Sequence, residues 1–175
     1  PRVAVSEAVA RWVRAEGRGE RVTVVHNGVQ VPEQAPDRAA ARRALGLDAA
    51  ALLVAYLGQL GPHKGLDQLL EACAAAAVRV PALRVALAGD GPPHTVAALR
   101  RHIASLPTPD RVTLLPPQPA PEMLLAAADL VAVPTLTPDP LPRAVLEAMA
   151  AARPVVATAT GGSPEMGEPG VTGLL

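Results

Sequence analysis

Val131 to Glu168, VAVPTLTPDPLPRAVLEAMAAARPVVATATGGSPEMGE, is the stretch whose reading decides the fold. An apolar run closes at Pro134, and a polar, proline-rich segment extends to Pro142. Apolar residues then recur at Val145, Leu146 and Met149 with helical spacing. Pro154 stops that helix, because proline lacks an N–H and turns the preceding residue away from helical angles. Val155 to Ala157 reads as a second strand, and Gly161-Gly162 opens another loop. Asp139 and Glu147 lie eight positions apart across the loop-helix junction. One falls in the loop and the other about a turn and a half into the helix, so both can face the same space at a sheet edge.

Working outward, the same alternation fills the chain from Ala51 onward. LLVAYL precedes the helix LDQLLEACAAAAV, LRVALA precedes TVAALRRHIASL, RVTLLP precedes EMLLAAA, and LVAVP precedes RAVLEAMAAA, with PVVAT following. Near-continuous apolar strands alternating with amphipathic helices predict parallel strands buried on both faces, an α/β doubly wound, Rossmann-like sheet. Such sheets bind ligands beyond the carboxyl ends of their strands. The loops leaving those ends are Gly58 to Gly65, Gly89 to Pro93, Pro116 to Pro121, Thr135 to Leu141 and Ala159 to Glu165, and they hold nearly every unusual residue of the chain.

Ahead of this pattern, Ser6 to Gly17 reads as a helix with Val9, Trp12 and Val13 on one face. Arg21 to Val25 reads as a strand and Asn27-Gly28 as a tight turn. Val29 to Asp37 lacks periodicity and carries prolines, which marks a linker. Asp37 is placed to cap a helix from Arg38 to Leu45 that Gly46 closes.

Composition narrows the function classes. Half of the 175 residues are hydrophobic, and 16 basic residues balance 16 acidic ones, so charge gives no reason to invoke nucleic acid or a lipid surface. The apolar runs fall short of the roughly 18 residues a membrane helix needs. The single cysteine, Cys73, excludes a disulfide framework and reads as a buried thiol. His26, His63, His94 and His102 lack metal-ligand spacing, and no nucleophile elbow occurs. Of the 16 basic residues only Lys64 is lysine, a hint that an ammonium is wanted there. A first residue other than Met and a last segment that looks like a strand beginning suggest a piece of a longer protein.

Read locally, the loops leave alternatives open. Gly58-Gln59-Leu60-Gly61-Pro62-His63-Lys64-Gly65 joins a strand to a helix start, where free N–H groups and a lysine suit a bound anion. It is no Walker loop, since His63 and Gly65 occupy positions that require Gly and Ser or Thr. The bland alternative is a glycine-rich turn with a solvated lysine. Gly89-Asp90-Gly91 begins like a dinucleotide fingerprint, but His94 stands at the third glycine, which leaves a close-approach turn. Glu147 either accepts hydrogen bonds from a vicinal diol or pairs with Arg143 on its own helix, and Asp139 either faces a sugar or serves a turn between two prolines.

Asn27-Gly28, the GQL-x-x-x-KG segment at 58–65, GDGP at 89–92, and DPLPRAVLEAMAAARPVVAT followed by GGSPE resemble the donor-binding half of the GT-B retaining glycosyltransferases of family four, glycosyl transferases group 1. The resemblance covers essentially the whole chain. It implies a donor domain over residues 36–175, incomplete at its end, preceded over 1–35 by a linker and the tail of an absent amino-terminal acceptor domain. It implies a metal-independent, cofactor-free transfer of a hexose-type sugar from a nucleotide-diphosphate sugar, with retention, to an acceptor the sequence does not name (a glycan, a lipid-linked sugar or a small molecule). Lys64 and Asp139 would be catalytic, Lys64 on the diphosphate and Asp139 facing the transferred sugar. Glu147 would bond the ribose, with Gly58, Gln59, Gly89, Asp90 and the backbone of Leu141, Pro142 and Arg143 also at the donor. Gly161, Gly162 and Glu165 would support that shell. The implied location is cytoplasmic, with the absent domain as any membrane contact, and the fragment alone would not turn over.

Two positions depart from the family pattern. Asp139 is shorter than the usual glutamate by one methylene, roughly 1.5 Å of reach, and Gln59 replaces the arginine that partners the lysine. Those departures support an alternative, a degenerate homologue that binds a nucleotide sugar without consuming it.

Overall fold

In a computed structural model, which describes residues 2–17, 21–117 and 121–175, the chain enters through a small unit. Strand β1 (Arg2–Ala4), helix α1 (Glu7–Ala15) and strand β2 (Val22–Val24) form it, the two strands pairing in parallel. An irregular stretch then leads to α2 (Arg38–Ala44), capped by the Asp37 carboxylate, which accepts from the Ala40 N–H at 2.7 Å. The main sheet follows as β3 (Leu52–Leu57), β4 (Leu83–Ala88), β5 (Val112–Leu115), β6 (Leu130–Val133), β7 (Val155–Ala157) and β8 (Gly173–Leu174). Helices α3 (Leu66–Arg79), α4 (Pro93–Ser105), α5 (Glu122–Ala127) and α6 (Arg143–Ala150) connect its strands.

All six strands run parallel in the order β5-β4-β3-β6-β7-β8. The chain steps outward from β3 to β5, then returns to lay β6 against the other side of β3. That reversal splays the loops after β3 and β6 apart, and a crevice at such a switch point is where doubly wound sheets bind ligands.

Alternate residues of each strand serve opposite layers. Val54, Tyr56, Val85 and Leu87 meet Leu69 and Leu70 of α3 and Leu99 of α4. Leu53, Ala55, Ala86 and Ala88 meet Ala41 of α2 and Leu124 and Ala127 of α5, where small side chains let helix and sheet approach closely. Val131, Val133 and Val155 face Val145 and Ala148 of α6. Each fully buried leucine, such as Leu53, Leu70 or Leu87, contributes about 2 kcal/mol of transfer free energy.

The expected strands and helices of the main sheet are present, and the differences have local causes. Helix α4 begins at Pro93 rather than Thr95, since proline fits a first helical turn whose N–H would be unpaired. Helix α6 stops before Pro154 can act. Ala152 adopts φ 53°, and the Arg153 N–H folds back to the Ala148 carbonyl at 2.9 Å. Asn27-Gly28 forms no turn: β2 pairs in parallel with β1, so the chain runs on instead of doubling back. Trp12 is 59% exposed, because Ala10 is the α1 residue buried against the body of the protein. Strand β1 was not expected, being only 3 residues long.

Candidate functional site

A cleft of about 850 Å³ opens at the carboxyl ends of β3, β4 and β6. Gly58, Gln59 and Lys64 line it from the loop after β3, and Gly89 and Asp90 from the loop after β4. Asp139, Pro142, Arg143 and Glu147 line it from the loop and helix after β6. Residues separated by some 80 positions thus meet because the switch point brings their loops together. Close approach makes this possible: a side chain on Gly89 would put its Cβ 1.7 Å from the Gly58 carbonyl oxygen.

At the centre, the Lys64 Nζ lies 3.1 Å from Asp139 Oδ2, both side chains about one-fifth exposed (20% and 21%). The lysine is not at the helix start, where it was expected. It closes a 3-10 turn (Pro62–Lys64), and Gly65 at φ 68° intervenes before α3. The turn aims the ammonium across the crevice, so its partner in the free protein is the carboxylate of the opposite loop. Asp139 is set in turn by the loop after β7. Gly161 sits at φ 56°, with room for no Cβ (2.0 Å from the Asp139 carbonyl oxygen), and the Gly162 N–H donates to that oxygen at 2.9 Å.

The same neighbourhood holds Tyr56, the only tyrosine of the chain, a residue the sequence reading placed only in the core. Its hydroxyl donates to the Gln59 carbonyl at 2.7 Å and pins the start of the loop that ends in Lys64. Burial, and then the Asp139 charge, push its phenol far above the usual range, so it remains a donor. Nothing in the alternation of β3 sets Tyr56 apart, since it shares the buried face of Val54 and only its hydroxyl reaches the loop.

On α6, Arg143 Nη2 lies 3.2 Å from Glu147 Oε1, with Arg143 73% exposed and Glu147 21%. An exposed pair of this spacing contributes only about 0.3–0.5 kcal/mol. It therefore leaves the Glu147 carboxylate available at the cleft wall. Pro142 provides α6 with no side-chain cap, so the first N–H groups and the positive dipole end of the helix face the cleft. Leu141, expected at the donor, does not line the cleft: it is 5% exposed and packs with Val133 and Val145. Asp90 serves its own turn, Oδ1 accepting from the Gly91 N–H at 2.8 Å. Of the loop from Pro116 to Pro121, residues 118–120 lie outside the described residues.

Glu165 does not line the cleft. Its carboxylate accepts from the N–H groups of Glu7 and Ala8, both at 2.7 Å, and His26 Nε2 lies 3.6 Å away. Partial burial works against its charge, but those two amides, then His26 and Arg11, outweigh it and hold the carboxyl below its usual range. Sequence reasoning missed a second charged cluster altogether. At the opposite end of the strands, Asp129 pairs with Arg38 at 2.5 Å and Arg42 at 3.3 Å.

The arrangement offers one ammonium, one guanidinium and an uncapped helix start for an anion, flanked by two carboxylates suited to hydroxyl groups. Among the described residues, no group of three His, Cys, Asp or Glu side chains is placed to hold a metal ion. No described helix is long and apolar enough to cross a membrane.

A family model described as glycosyl transferases group 1 matches residues 37–175. The D-inositol 3-phosphate glycosyltransferase of Mycobacterium sp. (strain KMS) is 42% identical over 161 residues, which is 89% of this chain and 36% of that protein. The crystal structure of Anabaena HepE in complex with UDP and glucose superposes with a TM-score of 0.88 at 33% identity, over 99% of this chain and 48% of that one. Sucrose-phosphate synthase from Thermosynechococcus elongatus shares the fold, with a TM-score of 0.81 at 24% identity. The chain spans about a third of the curated relatives it matches (36%) and about half of HepE (48%).

Proposed function

This chain belongs to the glycosyl transferases group 1, with the fold of a GT-B donor-binding domain, and from that premise we propose that its cleft binds a uridine-diphosphate sugar for glycosyl transfer. The observation that carries the reading is the convergence of Lys64, Asp139, Arg143 and Glu147 on one cleft at the switch point. HepE, at 33% identity, is known with UDP, and with UDP and glucose, which favours uridine.

On this reading the donor diphosphate takes the place of Asp139 as the partner of Lys64, near the uncapped start of α6. Glu147 accepts hydrogen bonds from the ribose hydroxyls. Asp139, released from the lysine, faces the hexose. As the bond from the anomeric carbon to the diphosphate breaks, its electron pair leaves with the diphosphate oxygen, an acceptor hydroxyl bonds to that carbon and gives its proton to the departing diphosphate, and Lys64 stabilises the negative charge that gathers there. Catalysis is then mainly orientation and electrostatics, with no metal required and with retention at the anomeric carbon. The whole protein presents the acceptor from a further domain.

Calorimetric titration with UDP and GDP tests the reading. UDP binds in preference, and Lys64→Ala and Glu147→Ala each weaken it about tenfold or more, a loss of about 1.4 kcal/mol or more. Unchanged affinity in both folded variants would overturn it. Gln59, in place of arginine, favours one second reading, a homologue that binds donor without turnover. Tight UDP binding with no release of UDP from UDP-glucose by the full-length protein decides for that alternative.

A further inference from the structure

Glu165 lies at the junction of two parts of the molecule that the donor cleft does not otherwise connect. It ends the 3-10 turn Ser163–Glu165 after β7. Oε2 accepts from the Glu7 N–H and Oε1 from the Ala8 N–H, which are the first two amides of α1. The third, from Val9, goes to Ser6 Oγ at 3.2 Å. Ser6 is wholly buried, and its Cβ lies 3.1 Å from where a Cβ on Gly162 would stand. One carboxylate thus holds the start of α1, reaching it across 158 and 157 positions of sequence.

The other side of this short segment braces the cleft. Gly161 packs against the Asp139 backbone without space for a side chain, and the Gly162 N–H holds the Asp139 carbonyl at 2.9 Å. Asp139 in turn meets Lys64 at 3.1 Å. Backbone and side-chain contacts therefore run without a gap from α1 through Glu165 and Gly162 to Asp139 and Lys64. A short turn with two independent anchors has a defined position; with one anchor lost it gains freedom at the other.

We propose that Glu165 is a positioning residue: by clamping the start of α1 to the turn that carries Gly161 and Gly162, it fixes the Asp139 backbone and couples the β1-α1-β2 unit to the donor cleft. The proposal rests on the donor reading for its catalytic consequence, while the mechanical coupling stands apart from it.

The test uses the full-length protein with Glu165→Ala and Glu165→Gln. It adds Glu7→Pro, which deletes one of the two donated N–H groups from the α1 side at a position where proline is tolerated. Amide hydrogen exchange, read without ligand, accelerates about tenfold at Ala8 and about threefold at Gly162 in Glu165→Ala. With UDP-glucose, kcat falls about tenfold while the Kd for UDP stays within about twofold, because Lys64 and Glu147 still meet the nucleotide. Glu165→Gln and Glu7→Pro give intermediate values of the same pattern. A lowered melting temperature with unchanged Gly162 exchange and unchanged kcat per folded molecule would reduce Glu165 to a stability element and overturn the proposal. If Lys64→Ala leaves UDP affinity intact, the donor reading fails instead, and the exchange result still decides the coupling.

Discussion

At the amino ends of β3 and β6, the Asp129 carboxylate is held by Arg38, by Arg42 and by the Leu53 N–H at 2.8 Å. At the carboxyl ends of the same two strands, Asp139 meets one ammonium and Glu147 one exposed guanidinium. The lower cluster is nearly saturated: Arg42, 6% exposed, also donates to the carbonyls of Ala127, Asp48 and Ala51, Arg38 donates to that of Ala128, and among the described residues only Arg42 Nε is buried without a partner. The upper cluster faces a cleft of about 850 Å³ and leaves donors and acceptors for a ligand. One sheet therefore carries two charge sets with separate consequences. Charges paired largely within the protein stabilise its free form, whereas those facing an open cleft are available to bind.

The largest expected effect tests the closed end. Arg42→Ala strands several buried carbonyls and removes a partner of Asp129, and it destabilises by about 3 kcal/mol in urea unfolding. Arg42→Lys recovers less than half of that, since one ammonium cannot span carbonyls on both sides. UDP affinity per folded molecule stays unchanged in both. A tenfold loss of affinity would show that the two ends are not separate.

Acid separates them at a smaller scale. Partial burial disfavours the Asp129 charge, yet the Leu53 N–H and the two guanidiniums outweigh it and hold the carboxyl below its usual value. A carboxylate depressed by folding stabilises fully above the unfolded aspartate pKa of about 3.9, and that stabilisation is lost as pH falls through the folded value. Asp129→Asn removes it, so the variant is less stable at neutral pH by about 1–2 kcal/mol, discounted for its exposure. The two stability curves converge in acid. Parallel curves down to the acid transition would place the stabilisation elsewhere.

The open end was more legible in sequence than the closed one. Parallel strands announce themselves as apolar runs, and the loops at their carboxyl ends follow from order alone. Asp139 and Glu147 share one short segment, so spacing and family resemblance pointed to them together. Arg38 and Arg42 reach Asp129 across 91 and 87 positions. Only Lys64 interrupts the use of arginine as the basic residue, so neither arginine stood out from the others. The anchor at Glu165 was hidden for the same reason, since its partners are backbone amides that carry no signature in side-chain identity. The Lys64 partner was equally invisible, because a loop sequence does not tell which way an ammonium points.

The smallest effect bears most directly on the open end. Lys64 and Asp139 form a partly buried pair, and removal of such a pair changes stability by less than about 1 kcal/mol. In Asp139→Asn the ammonium loses its resident anion and a repulsive charge leaves the cleft, so UDP binds about threefold to tenfold more tightly, about 0.7–1.4 kcal/mol. Transfer slows at the same time, since the amide cannot serve the sugar as a carboxylate does. Weaker UDP binding in Asp139→Asn, at an unchanged melting temperature, would mean that the carboxylate holds Lys64 in place for the diphosphate instead of competing with it, and the upper cluster would then be as preorganised as the lower.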